Sequence, residues 1–433
     1  MVPEAVARPT SEHAVLESLR DARDRGGPVT AAGGQTSTTA ASITDRGVLL
    51  SMRGLTHIAE VDREHLTIRV QAGVNLGDLK RRLAADGLLF APDPTSEDDV
   101  TIGGAIACNA SGARSLLYGA TRPHVAALRV VLADGTVHDL RRTRLEKNTV
   151  GYAPIHEPVD WFIGSEGTLG VILEAELSLV PLPAQVTGLA VPFADEAHAL
   201  DFVVAARTST AVSARCLEFF DAAALAIART DDGNDQWAQS ANALVYLEQA
   251  VAAGSEVPLD EWLLLAERFG AKEEDVLVYE GEHALRDARR LRHAVPATMN
   301  ERGARYRTAG GRKVSTDWAV PFRQLKDALA DARRFAADAG IAQPVIYGHA
   351  GNGHPHQNFI ARDATELARI EQVVEATLRR VIALGGTVAA EHGIGKLKRR
   401  WLPLQLTPLQ LGVMRAIKCE LDPASMLAPG NLF

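Results

Sequence analysis

A mixed α+β chain, of two domains or one large composite, is predicted by three features of the sequence. Its 433 residues are enough for an ample core. Short apolar, β-branched runs alternate with amphipathic helical stretches. Glycine-rich blocks punctuate the first half of the chain and adjoin the apolar runs, so they read as loops at strand ends.

Taken in order, residues 11–25 have helical spacing, with Ser11 as N-cap and Glu12 in the first turn. Val48–Met52 and Leu66–Ala72 read as short strands, and Leu76–Ala85 as a helix after Asn75. Asp134-Gly135 closes an apparent hairpin after Leu128–Ala133. Pro181, Pro183 and a change to alanine-rich amphipathic helices mark a boundary after residue 183. From 184 to 385 the expected elements are strands Val186–Val191 and Leu244–Gln249, with helices near 195–206, 259–269 and 322–339. No tandem repeat is present.

Composition narrows the function. With 46% hydrophobic and 23% charged residues the chain has the make-up of an ordinary soluble protein. A net charge of −8 argues against nucleic acid as a partner. No apolar run reaches the roughly 18–20 residues that cross a bilayer. The N-terminus has no signal-peptide core, so a cytoplasmic location is expected, with peripheral membrane association compatible. Cys108, Cys216 and Cys419 lie far apart, which fits a reducing compartment and no iron–sulfur cluster.

Three glycine blocks carry the first functional signal: 28–37 (PVTAAGGQTS), 92–112 (PDPTS, then TIGGAIACNASG) and 164–170 (GSEGTLG). Such glycines let backbone N–H groups approach a phosphate closely. None has the Gly-x-Gly-x-x-Gly fingerprint. Singly they are turns; together they point to a nucleotide site. The second signal is Gly348-His-Ala-Gly-Asn-Gly-His-Pro-His-Gln-Asn358, followed later by Glu391-His392-Gly393. Three imidazoles interleaved with glycines can present nitrogen ligands to zinc, manganese or iron, and Glu391 can add a carboxylate. A solvated histidine loop without metal is the competing reading of the spacing alone.

These blocks, with Gly386-Thr-Val-Ala-Ala-Glu-His-Gly-Ile-Gly395 and the ending Asp422-Pro-Ala-Ser-Met-Leu-Ala-Pro-Gly-Asn431, resemble the FAD-linked oxidases of the vanillyl-alcohol-oxidase type. The likeness is to the branch of D-lactate, glycolate and D-2-hydroxyglutarate dehydrogenases, and it covers about Pro9 to Phe433. It implies a two-subdomain PCMH-type FAD-binding domain over 1–183 and a ferredoxin-like α+β substrate and metal cap over 184–385. A final segment, 386–433, completes the active site and returns to the FAD domain.

The resemblance also assigns residues. Gly33, Gly34, Gln35, Thr36 and Ser37 fall on the family's pyrophosphate loop, with Ala32 where an arginine is usual and Gln35 where a second glycine is usual. Pro92, Asp93, Thr95, Gly103, Gly104, Asn109 and Gly112 match the second flavin block. Glu166, Gly167, Gly170 and Ile172 match the third, near the adenine and ribose, and Asn431 matches the closing motif. The first block has no histidine and Cys108 matches no attachment position, so non-covalent FAD is expected. His349, His356 and Glu391 fall on the metal ligands, with zinc favoured over manganese or iron. His354 stands where the family usually has asparagine, as a third imidazole ligand or, the favoured reading, a donor supporting the ligands from behind, and Asn352 stands where the family usually has aspartate.

The implied chemistry is oxidation of a small 2-hydroxy acid to the 2-oxo acid, with His392 as base. Arg292, Lys313 and Asn358 bind substrate. Pro296 replaces a hydroxyl residue of some dicarboxylate-using members, which favours D-lactate over D-2-hydroxyglutarate, although Arg305, Arg307 and Arg312 could serve a second carboxylate. A quinone, an electron-transfer flavoprotein, a cytochrome or oxygen could receive the electrons, and a homodimer is compatible. Three other readings are weaker: an ether-lipid synthase, a non-catalytic flavin subunit, and an NADPH-dependent reductase.

Overall fold

A computed structural model describes residues 1–433 except 144 and 233–236, with 231–232 described in their backbone alone. The chain forms two compact units. One comprises Met1–Gly112, Tyr118–Leu182 and Glu391–Phe433; the other comprises Ala113–Leu117 and Pro183–Ala390. Both are built of helices and sheets, an α+β architecture.

The first unit holds a three-stranded parallel sheet, with Val48–Ser51 between Ala5–Ala7 and Val29–Ala32. Its second sheet is antiparallel, in the order Ile58–Asp62, Thr67–Gln71, Val171–Ser178, Val125–Val131, Val137–Arg141. Helix Glu12–Asp24 starts at Ser11, whose hydroxyl accepts the N–H of Ala14 at 3.2 Å. Its buried stripe of Val15, Leu19 and Ala22 packs in one core with Leu50, Val131, Leu173, Met426 and Leu427. That core therefore joins both sheets to the end of the chain. Helix Leu76–Ala85 and the Asp134-Gly135 turn lie where the sequence places them.

Other boundaries move for local reasons. The Val48 strand ends at Ser51, because Met52–Gly54 tightens into a 3-10 turn. The next strand starts at Thr67, after Leu66 in the left-handed region at φ 51°. The largest correction falls on the second glycine block, expected as a loop. Ile102–Cys108 is a helix, with Thr101 accepting the N–H of Gly104 at its start and Asn109 ending it at φ 49°. Gly103 is needed for packing: a Cβ there would lie 2.7 Å from that of Ala72.

The second unit is built on a seven-stranded antiparallel sheet. Its order is Leu277–Glu280, Gln185–Phe193, Ala243–Val251, Cys216–Asp221, Val345–His349, His354–Asp363, Gly310–Ser315. Helices Ala222–Asp232 and Gly281–Ala304 cover one face, sharing a core with Phe220, Tyr246 and Tyr347. On the other face Phe193, Phe202 and Trp262 make ring contacts at 5.3 and 6.3 Å. The expected helices become Glu196–Thr208, Leu259–Glu267 and Leu325–Asp338, the last preceded by a 3-10 turn. The 24-residue helix Gly281–Ala304 has no sequence counterpart, because Pro296 interrupts its pattern. No helix among the described residues is long and apolar enough to cross a membrane.

Candidate functional site

Each unit carries candidate site residues. In the first, one pocket is walled by Ala32, Gly33 and Ser37, by Thr101, Gly103, Gly104 and Cys108, and by Glu166, Gly167, Gly170 and Ile172. Ala31, Ala41, Ser42, Met52, Ala72, Ala107, Ser165 and Val171 complete it. Small side chains leave backbone exposed along this wall. A Cβ at Gly167 would meet nothing nearer than 3.9 Å, so side chains there would project into the pocket space. Such a cradle fits a dinucleotide held through N–H groups. Burial raises the Cys108 thiol to about 12, leaving it protonated and unreactive.

The other sequence-assigned cofactor residues lie off this wall. Gly34 abuts Asp99, whose carbonyl oxygen would be 2.0 Å from a Cβ, and Gly112 abuts the Asp93 carbonyl at 2.1 Å. Gln35 sits at φ 59° and donates from Nε2 to Ser42 O at 3.1 Å. Asn109 accepts the Arg122 N–H at 2.9 Å. Thr36 is half-buried, Pro92 and Asp93 are buried, and Thr95 is exposed. Asn431 donates to Ala41 O and Glu166 O at 2.9 and 3.1 Å, and accepts from Lys396 Nζ at 2.7 Å. These contacts shape the loops behind the wall.

Glu391 and His392 also belong to this unit. His392 Nε2 is 3.3 Å from Glu391 Oε1, and the His392 carbonyl accepts from Thr39 Oγ1 at 3.4 Å. The following turn is held by Glu166, whose two carboxylate oxygens accept the N–H groups of Ile394 and Gly395 at 2.6 and 2.7 Å. Burial raises the Glu166 pKa, and those two N–H bonds offset part of the rise. No sequence signal links Glu166 to residues so far away.

In the second unit, His349 ends one strand and His354 opens the next, and they are direct partners across the hairpin. His356 is opposite Tyr347, so all three imidazoles share one face of the sheet. Their rings are 4.6 to 5.4 Å apart, all three are buried, and a ring nitrogen of each lies within 4.8 Å of the others. Gly353 makes the turn at φ 67°, where a Cβ would lie 2.0 Å from Val320 O. Gly348, at φ 136°, keeps space beside His356.

Residues distant in sequence orient these rings. Glu218 is 1% exposed; its Oε1 is 2.6 Å from His349 Nδ1 and its Oε2 is 3.0 Å from Arg292 Nε. Burial works against the Glu218 charge, but His349 and Arg292 outweigh it and hold its pKa below the usual range. The Arg292 guanidinium also reaches within 3.3 Å of His349 Nε2. His356 Nδ1 faces the Thr316 carbonyl at 3.4 Å, an arrangement in which the N–H sits on Nδ1 and the lone pair on Nε2. His354 Nε2 is buried without a hydrogen-bond partner, 3.1 Å from Asp317 Oδ1 but off the hydrogen-bond direction. Glu218 and Asp317 escaped sequence reading, since neither has a motif of its own.

The proposed substrate residues fall on or over the same face. Asn358 is opposite Ser315, two residues from Lys313 along that strand, so both side chains share the histidine side. Asn358 donates from Nδ2 to His356 O at 3.2 Å, while its Oδ1 is buried without a partner. Lys313 donates to Asn300 Oδ1 at 3.0 Å, and burial pulls its pKa down to about 8. Arg292 projects from the helix covering this face.

The chain is also similar to known proteins over nearly all its length. Residues 3–141 match the FAD binding domain family, and residues 182–432 match the C-terminal domain of FAD linked oxidases. Glycolate oxidase subunit GlcD of Bacillus subtilis is 31% identical, the match covering 100% of this chain and 89% of that protein. D-lactate dehydrogenase of Archaeoglobus fulgidus is 32% identical, covering 99% and 90%. D-2-hydroxyglutarate dehydrogenase of Xanthomonas citri is 32% identical, covering 100% and 89%. Among solved structures, an alkyldihydroxyacetonephosphate synthase superimposes with a TM-score of 0.72 at 18% identity, covering 98% of this chain and 75% of that one, which shows a common fold. The chain belongs to the FAD-linked oxidases, with a PCMH-type FAD-binding domain, and is an FAD-linked oxidoreductase.

Proposed function

We propose that the protein oxidises a D-2-hydroxy acid, preferably one like D-lactate, to the 2-oxo acid, using non-covalent FAD and a divalent cation. The observation that carries this reading is the buried trio of imidazoles on a sheet face that also presents Lys313 and Asn358 and is overlain by Arg292. His354 Nε2, buried beside the other two imidazoles without a hydrogen-bond partner, fits a metal-binding face better than a purely structural one. His349, His356 and Glu391 are assigned as ligands, with zinc favoured and manganese or iron as alternatives.

When bound, FAD supplies the hydride acceptor and the cation supplies Lewis acidity toward the substrate hydroxyl. Glu218 holds His349 in one tautomer, with Nδ1 as donor, and the Thr316 carbonyl does the same for His356. His392 takes the hydroxyl proton on its imidazole. Arg292 and Lys313 hold the substrate carboxylate, and Asn358 orients the substrate beside them. The preference for a monocarboxylate over D-2-hydroxyglutarate rests on Pro296, in place of a hydroxyl residue. Glycolate remains in the same substrate class. The electron acceptor is assigned to the quinone, flavoprotein or cytochrome class, and the location to the cytoplasm or the membrane periphery.

The test is anaerobic bleaching of the oxidised-flavin band by a panel of D- and L-2-hydroxy acids, before and after chelation. Rapid bleaching by a D-2-hydroxy acid, lost on chelation and restored by zinc or manganese, is expected. Bleaching that survives complete metal removal would end the metal assignment while keeping the dehydrogenase. A flavin that no 2-hydroxy acid reduces would point to another substrate class or a non-catalytic subunit.

A further inference from the structure

We propose that His354 and Asp317 are additional donors to the cation, giving this chain a three-imidazole site. The proposal rests on the metal reading above and extends it to two residues outside the ligand set that the family resemblance implies.

His354 is 4% exposed and Asp317 is 1% exposed, so neither is a surface charge with water at hand. Their facing atoms, Nε2 and Oδ1, are 3.1 Å apart without a hydrogen bond between them. A ring nitrogen buried this deeply is ordinarily hydrogen-bonded, and His354 Nε2 is not. The separation has another meaning. Two donors on one cation at roughly 2.0–2.1 Å, subtending angles between about 90° and 109°, lie roughly 2.9–3.4 Å apart. The pair thus has the spacing of neighbouring ligands. The His354 ring is also 4.6 Å from His356 and 5.2 Å from His349, on the same side of the sheet.

Both residues are held in place by the backbone. His354 precedes Pro355, which keeps its backbone extended, and it is paired across the hairpin with His349. Asp317 follows Thr316, whose N–H donates to Gln357 O at 3.0 Å and whose hydroxyl accepts the Gln357 N–H at 3.1 Å. It precedes Trp318, which donates to Gln357 Oε1 at 2.9 Å. Three bonds to one residue of the histidine strand fix the carboxylate's position beside it. Three imidazoles with carboxylate shift the preference toward zinc or cobalt and away from manganese, which favours oxygen ligands.

The test uses the flavin-containing full chain loaded with Zn2+. X-ray absorption at the zinc edge counts imidazoles, and chelator competition gives zinc affinity for the wild type and for His354→Asn, Asp317→Asn and His356→Asn. Three imidazoles, with zinc affinity falling at least about tenfold in His354→Asn and Asp317→Asn while flavin content holds, are expected. Two imidazoles in the wild type, or unchanged zinc affinity in His354→Asn beside a large loss in His356→Asn, would overturn the proposal and leave the metal reading intact. A wild type that binds no stoichiometric zinc, manganese or cobalt would overturn both. The imidazole count needs no variant to fold.

Discussion

The glycine-walled pocket and the histidine face solve opposite problems. The pocket is made by subtraction: glycines, alanines and serines clear side chains away so that backbone can meet a ligand. The histidine face is made by addition, with imidazoles, carboxylates and cations crowded onto neighbouring strands and oriented by buried partners. A backbone-built site tolerates change wherever the replacement leaves the main chain in place, as at Ala32 in the pocket wall. A side-chain-built site has no such latitude, because each atom at work belongs to one residue.

That contrast can be broken most severely at His392. Replacing it with alanine should lower the rate of flavin reduction by on the order of 10²–10⁴, with an unchanged flavin spectrum, measured by anaerobic stopped flow. Glu218→Gln should come next. It keeps the shape but removes the charge that orients His349, and about a 10- to 100-fold drop in metal affinity is expected by chelator competition. The pocket is best attacked through the packing of its wall. Gly103→Val pushes against Ala72 and should cost about 1–3 kcal/mol, seen as flavin loss on gel filtration and a lower Tm.

A milder probe is pH. With its pKa drawn down to about 8 by burial, Lys313 is charged below that value and neutral above it. KM for a carboxylate substrate should therefore rise as pH climbs through 8, and Lys313→Arg should abolish the rise. A flat KM across that range would remove Lys313 from substrate binding. The smallest effect is expected at Ser11, remote from both sites. Ser11→Ala removes a helix cap worth about 1 kcal/mol and should lower Tm while leaving activity and flavin content alone.

How much of this was legible in the sequence follows from the same contrast. Strand and helix positions could be read where periodicity was clean, as at Leu76–Ala85. It failed where tertiary context overrode local signals: Gly103 and Gly104 read as loop but lie in a helix, and Pro296 hid a long one. Glycine blocks marked the pocket, but could not say which glycines face it; Gly34 and Gly112 serve close backbone packing instead. The histidines were visible because three lie close together in sequence. Glu218 and Asp317 were not, because strand pairing and strand-to-strand bonds bring them there from distant segments. Glu166 shows the reverse: it was singled out for the flavin, and its carboxylate is engaged by the turn after His392.

One feature of the first unit bears on how the protein is born. Val29, at the start of the strand leading into the pocket, donates its N–H to Met426 and accepts from that of Ala428, and Leu427 is buried in the same core. A chain emerging from the ribosome at roughly 5–20 residues per second presents that strand long before residues 426–428 exist. The histidine-bearing unit, complete by Ala390, can settle first. The nascent pocket must wait for residues 426–428 to close over Val29, so any ligand captured there is captured only after those residues are made.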